Sequence, residues 1–185
     1  MKTFYTLKVA GIERDLPLCK LNDELMIAGF VIFGDVELTE KCAKALLEKA
    51  PEHDIIITPE SKAIPLVYEM ARLEGNNNYV VARKAPKLYM KDVVFTNVKS
   101  ITTEKEQTLC VGSAEIEKLK GKKVLIVDDV ISTGASLSAV EQLVADVGGE
   151  TVGKMAILAE GDAMERSDIK VLAKLPLFDA EGNEL

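Results

Sequence analysis

The stretch of the chain richest in potential chemistry runs Val124-Leu125-Ile126-Val127-Asp128-Asp129-Val130-Ile131-Ser132-Thr133-Gly134-Ala135-Ser136. Its four leading apolar residues predict a central strand that ends at two adjacent carboxylates. That is the carboxyl edge, where open α/β sheets bind ligands. The small residues Ser132-Thr133-Gly134-Ala135-Ser136 then lead straight into a helix. Such a loop offers backbone N–H groups, hydroxyls and the positive end of a helix dipole to a phosphate. Asp128 and Asp129 beside it could accept hydrogen bonds from sugar hydroxyls and help hold Mg²⁺, directly or through water. A carboxylate pair alone would read as an acidic strand end before a capped helix, but the whole string favours a sugar-phosphate ligand. It is not a Walker loop, since Gly121-Lys122 is followed by Lys123, and GxGxxG is absent.

Other elements must hold this loop in place. Asp54–Thr58 is a short, mostly apolar strand of the kind buried on both faces. A polar loop, Pro59 to Lys62, precedes a helix with Pro65 in its first turn and Gly75 at its stop. Further strands are predicted at Asn78–Ala82 and Thr151–Ala159. A helix after Ser136 presents Leu137, Val140, Val144 and Val147 on one face. An earlier helix has Thr39 as its candidate N-cap, Cys42, Ala43, Leu46 and Leu47 on its apolar face, and Pro51 beyond its end. Upstream, residues 3–10 and 13–21 read as two strands turned at Gly11, with Pro17 suggesting an edge. Leu25–Gly34 reads as a flexible cover or a buried connection. Strand–helix–strand repetition predicts an α/β fold: three layers, with a mostly parallel central sheet flanked by helices. A single domain over 1–185 is expected, with 1–37 as an N-terminal hood. Residues 83–120, which carry Lys84, Lys87, Lys91, Lys99 and Lys105, form an excursion best read as a flexible flap.

Composition narrows the partners. The 185 residues include 23 Lys+Arg against 30 Asp+Glu, a formal charge of −7, which sets nucleic acid aside. There is no Trp, and five Phe and four Tyr are too few for single-strand stacking platforms. Cys19, Cys42 and Cys110 lie far apart and His53 is the only histidine, so neither a disulfide framework nor a Cys/His zinc site can be built. His53 itself, in a polar turn, reads as a solvated loop residue. No apolar run approaches a membrane span and no signal-like segment opens the chain, so a cytoplasmic protein is expected.

From Arg14 to Phe178 the sequence resembles the type I phosphoribosyltransferases, whose phosphoribosyl-pyrophosphate (PRPP) signature is similar to Val124–Ser136. Within that family it is most similar to the adenine enzymes, with the xanthine enzymes second. The resemblance implies a hood, a β flap, a homodimer and a Mg²⁺-dependent reaction. In it, a purine base displaces pyrophosphate from PRPP to give a nucleoside monophosphate, a step of purine salvage. It also implies roles. Asp128 and Asp129 would hold the ribose hydroxyls, and Ser132, Thr133, Gly134, Ala135 and Ser136 the 5′-phosphate. Glu60, Ser61, Lys62 and Ala63 would form the pyrophosphate loop, with Ala63 in place of the family's usual Gly. Arg83 and Lys84 match an Arg-Lys pair of the adenine and xanthine enzymes, and Lys87 a basic residue that reaches pyrophosphate. The catalytic acid/base of the flap falls on Glu104, or on Glu106 if the alignment shifts, and the family's flap tyrosine is missing.

Base recognition is expected from the hood, with Phe30, Val31 and Phe33 as base-binding residues and Phe30 or Phe33 stacking on the purine. Glu160 and Asp162, after the last core strand, could face the base but read better as capping a turn. Leu175–Phe178 reads as an apolar strand or lid edge. Two other functions remain open at this point. One is transfer to xanthine, guanine or hypoxanthine; the other is a non-catalytic protein of the same fold that senses PRPP or nucleotides.

Overall fold

A computed structural model describes residues 2–98 and 107–185. In chain order its first strands are β1 (Phe4–Val9), β2 (Ile12–Lys20) and β3 (Leu25–Ala28), followed by helix α1 (Val36–Leu47). Next come β4 (Ile55–Pro59), α2 (Ile64–Leu73), β5 (Val80–Ala82), β6 (Val94–Val98), β7 (Gln107–Val111) and α3 (Ser113–Leu119). The chain continues with β8 (Lys123–Ile131), α4 (Ala135–Asp146), β9 (Glu150–Glu160), β10 (Lys170–Leu175) and β11 (Phe178–Asp179).

The central sheet has five strands in the order β10-β9-β8-β4-β5, every pair parallel. Successive side chains of a strand point to opposite faces, and both faces here are covered. Ile56, Leu125 and Val127 pack with Leu38, Cys42 and Leu46 of α1 and Leu66 and Met70 of α2. Ile57, Val124 and Ile126 pack instead with Leu137, Val140, Leu143 and Val144 of α4. Burial on both sides is why the strand at Ile55–Ile57 is uniformly apolar rather than alternating. The three expected layers are therefore present.

Several local expectations need correcting. Strand β8 does not stop at the carboxylates. It continues through Asp128 and Asp129 to Ile131, because the long neighbour β9 goes on pairing with it as far as Ile131↔Ala159. The N-cap of α1 is Asp35, not Thr39. The Asp35 carboxylate accepts from the Leu38 amide at 3.0 Å, while Thr39 sits in the first turn and donates its hydroxyl to the Asp35 carbonyl at 2.7 Å. Pro17 marks no edge strand, since β2 lies between β1 and β3. It ends the β2–β3 ladder instead: its carbonyl accepts from Gly29 N at 2.8 Å, but a proline has no N–H to return.

Leu25–Gly34 opens as strand β3, paired with both β2 and β11, so the hood is a four-stranded sheet in the order β1-β2-β3-β11. The second half of Leu175–Phe178 thus belongs to the hood and the first to the core. His53 is not solvated: its side chain is 5% exposed, with Nδ1 2.8 Å from the Pro51 carbonyl and Nε2 3.3 Å from Glu74.

Within the excursion at 83–120, β6 and β7 form an antiparallel hairpin, and Leu109, Cys110, Val111 and Leu119 are buried. Helix α3, which periodicity did not suggest, starts where the Glu115 carboxylate accepts from Gly112 N at 3.1 Å. Glu104 and Glu106 lie outside the described residues. Among the described residues, no helix is long and apolar enough to cross a membrane.

Candidate functional site

Three chain segments meet at the carboxyl edge of the central sheet. From β8 come Asp128 and Asp129, both buried. From the turn after β4 comes Ser61, whose hydroxyl donates to Asp128 Oδ1 at 2.9 Å and accepts from Ala63 N at 3.1 Å. The same Asp128 oxygen accepts from Asp129 N at 2.9 Å. Burial first, and the adjacent Asp129 charge second, push the Asp128 carboxyl up to about 7. Asp129 Oδ2 is buried without a hydrogen bond, and Lys62 Nζ stands 3.4 Å from it, an ionic contact lacking hydrogen-bond geometry. A buried, underserved carboxylate oxygen is costly alone and is suited to a cation or a hydroxyl.

The residue before Ser61 faces a different cluster. Glu60 accepts from Lys84 N at 3.0 Å, and Arg83 Nη2 and Lys87 Nζ lie 3.4 and 3.8 Å from its carboxylate. These partners, the Lys84 amide foremost, hold Glu60 below the usual carboxylate range. Arg83 is brought there by a bridge to Cys110 that continues β5 onto β7. Its buried Nε has no hydrogen-bond partner among the described residues. Four cations, Lys62, Arg83, Lys84 and Lys87, therefore border one edge of the sheet.

The third segment follows β8. Gly134 caps α4 in the left-handed conformation, φ +77°, which a side chain would strain. Ala135 N donates to Thr133 Oγ1 at 3.4 Å. Asp128 and the residues from Val130 to Leu137 line a small polar cavity of about 100 Å³. The architecture thus sets a carboxylate pair between a cationic turn and a helix N-terminus.

A profile described as "Phosphoribosyl transferase domain" matches residues 36–179. The chain belongs to that family. An adenine phosphoribosyltransferase from Thermotoga sp. (strain RQ2) is 33% identical over 141 residues, covering 74% of this chain and 78% of that protein. An orotate phosphoribosyltransferase from Caldanaerobacter subterraneus subsp. tengcongensis is 30% identical over 142 residues, covering 76% and 60%. Against two further curated adenine phosphoribosyltransferases the chain spans 65% and 64% of their length, just under two thirds. Among solved structures, adenine phosphoribosyltransferase from Rhodothermus marinus shares the fold, with a TM-score of 0.65, 23% identity and 94% of each chain covered.

As a phosphoribosyltransferase domain, the chain shows its other anticipated residues as follows. Ala63 adopts an ordinary right-handed conformation, φ −74°, so alanine is unstrained there. Val31 and Phe33 are exposed, whereas Phe30 and Ile32 are buried in the core. Glu160, at the end of β9, stands at the N-cap position of the 3₁₀ turn Gly161–Glu165, as expected, but its side chain makes no capping hydrogen bond. Burial raises its carboxyl, while the charge of Lys62 opposes that shift. One basic residue went unnoticed in the sequence: Arg166, which packs against Gly134. No motif announces it, because it comes from a 3₁₀ turn some thirty residues downstream.

Proposed function

We propose that the chain transfers the phosphoribosyl group of PRPP to a purine, adenine first, releasing pyrophosphate and a nucleoside monophosphate. The observation that carries this reading is the convergence on one sheet edge of buried Asp128 and Asp129, the cations around Glu60 and Ser61, and the Gly134-capped loop. In this arrangement the Asp128 and Asp129 carboxylates accept from the ribose hydroxyls, and loop 132–136 donates to the 5′-phosphate. Lys62, Lys84 and Lys87 take up the negative charge that grows on pyrophosphate as its oxygen leaves C1. A nitrogen of the base forms the new bond to C1 and gives up a proton, for which Glu104 or Glu106 is the acceptor. Phe33 and Val31, exposed where Phe30 and Ile32 are buried, contact the base.

Mg²⁺ suits the orphaned Oδ2 of Asp129, with Asp128 beside it, and would supply charge neutralisation of the pyrophosphate. Two carboxylates are few: among the described residues no three Asp, Glu, His or Cys side chains cluster as a metal site. The diphosphate would therefore provide the remaining oxygens, as is usual for Mg²⁺. The homodimer is part of the same proposal, supported by the exposed apolar residues Val36, Tyr68, Leu73, Leu88 and Tyr89.

The test is a panel of adenine, xanthine, guanine, hypoxanthine and orotate, each scored for pyrophosphate release from PRPP with Mg²⁺. Release with adenine in clear preference is expected. Preference for an oxopurine would move the assignment, and PRPP binding without turnover on any base would favour a sensor. The relaxed backbone at Ala63 weighs against the sensor, since the departure from glycine there causes no distortion.

A further inference from the structure

The loop from Ser132 to Ser136 contains no basic residue. A phosphate held there by the loop alone would meet only neutral donors and a helix dipole. The structure brings one cation to it from elsewhere. Arg166, just after the 3₁₀ turn Gly161–Glu165, directs its guanidinium at the loop, and a methyl group at Gly134 would collide with Arg166 Nη1. The arginine is not a loose chain end that could swing aside. Its Nε and Nη2 donate side-on to the two oxygens of Asp168 at 2.9 and 2.7 Å. Asp168 is held in turn by Lys154 Nζ at 2.8 Å, and Lys154 reaches Glu141 of α4 at 3.2 Å. With one edge of the fork committed to Asp168, Nη1 is left facing the loop, without a hydrogen bond among the described residues.

We propose that Arg166 is a positioning and charge-supplying residue for the 5′-phosphate. Its braced guanidinium delivers a cationic donor to the phosphate held by loop 132–136, and its bulk is a second reason, beside backbone conformation, for glycine at 134. This rests on the proposed function, because it presumes a sugar phosphate in that loop. The Asp168 pair fixes the plane of the fork, so that Nη1 needs no reorganisation when the phosphate arrives.

The experiment titrates wild type, R166Q and R166K with ribose 5-phosphate and, separately, with pyrophosphate, by calorimetry, with a thermal melt of each variant. R166Q is expected to bind ribose 5-phosphate about ten- to a hundredfold more weakly, the range of one charge-assisted hydrogen bond. Pyrophosphate, which belongs to the Lys62 and Lys87 side, should bind unchanged. R166K, keeping the charge without the fork, should fall between. In turnover, the KM for PRPP should rise with kcat within about threefold. Ribose 5-phosphate binding unchanged in R166Q would overturn the proposal, as would an equal loss of both ligands, the mark of a merely structural role. Should R166Q fail to fold, R166K decides alone by the same two-ligand ratio. If the wild type binds pyrophosphate but not ribose 5-phosphate, the fault lies with the proposed function itself.

Discussion

The carboxylates at the sheet edge live in opposite environments although they are almost neighbours. Glu60 is surrounded by donors, with Arg83, Lys84 and Lys87 around it, and its carboxyl is driven down. Asp128 and Asp129 are buried side by side with Ser61, one backbone amide and the off-axis Lys62 for company, and Asp128 is driven up. A single turn divides the two: Glu60 faces the cations, while Ser61 and Lys62 face the acidic pair. The lesson is one of unspent interaction. The Glu60 cluster is already neutralised, so its carboxylate organises cations for something else. The acidic pair holds a polar deficit that hydroxyls or a metal ion would remove.

If the deficit is functional, removing it should be most damaging. Replacing both Asp128 and Asp129 by Asn should lower pyrophosphate release by at least about a hundredfold, the scale of losing a preorganised electrostatic contact. A double variant with wild-type turnover would erase the contrast between the clusters. Next in size is Gly134→Ala, which meets both a left-handed φ and Arg166. Backbone strain of about 1–3 kcal/mol should appear as weaker ribose 5-phosphate binding or a lower melting temperature. Glu60→Gln should act more gently. Loss of its charge loosens Arg83 and Lys87, so pyrophosphate affinity should fall several-fold while ribose 5-phosphate is untouched, as binding isotherms would show. An equal drop for both ligands would mean that the clusters are not separate.

The smallest effect concerns stability. Asp128 binds its proton more tightly in the folded chain than its ordinary 3.8, with a folded value of about 7. Between those values the unfolded chain has lost the proton that the folded chain keeps, so stability falls as pH rises from about 4 to about 7 and then levels off. Asp128→Asn should remove that part of the slope, which melts at about pH 4.5 and 7.5 would reveal. Ser61→Ala, which strips one hydrogen bond from a buried carboxyl, should cost about 1–2 kcal/mol, more at the higher pH.

How much of this could be read in the sequence depends on how local the cause was. Val124–Val127, the strand at Ile55–Ile57 and the face of α4 were legible because burial on two sides, or on one helical stripe, writes itself into apolar spacing. Asp128, Asp129 and Gly134 were legible because the chemistry and the turn lie in one short string. The end of β8 was not, since its length is set by pairing with β9. The cap at Asp35 was hidden for a similar reason: Arg14, at 2.7 Å, comes from β2 and fixes the aspartate in place. The division of labour between Glu60 and Ser61, the burial of His53 and the bracing of Arg166 all depend on which segments the fold brings together. Pattern alone does not contain that information.

The pairing of β11 with β3 has a consequence in time. Phe178 lies opposite Met26, so the cover sheet is stitched together from segments some 150 residues apart. Closing so long a loop is slow and entropically unfavourable compared with local pairing. A chain emerging from the ribosome holds the whole of Val124–Ser136 before Phe178 exists, and it can finish the cover only afterwards. Assembly therefore has a direction: the loop after β8 is made before the last strand of the four-stranded sheet, which closes only when Phe178 reaches Met26.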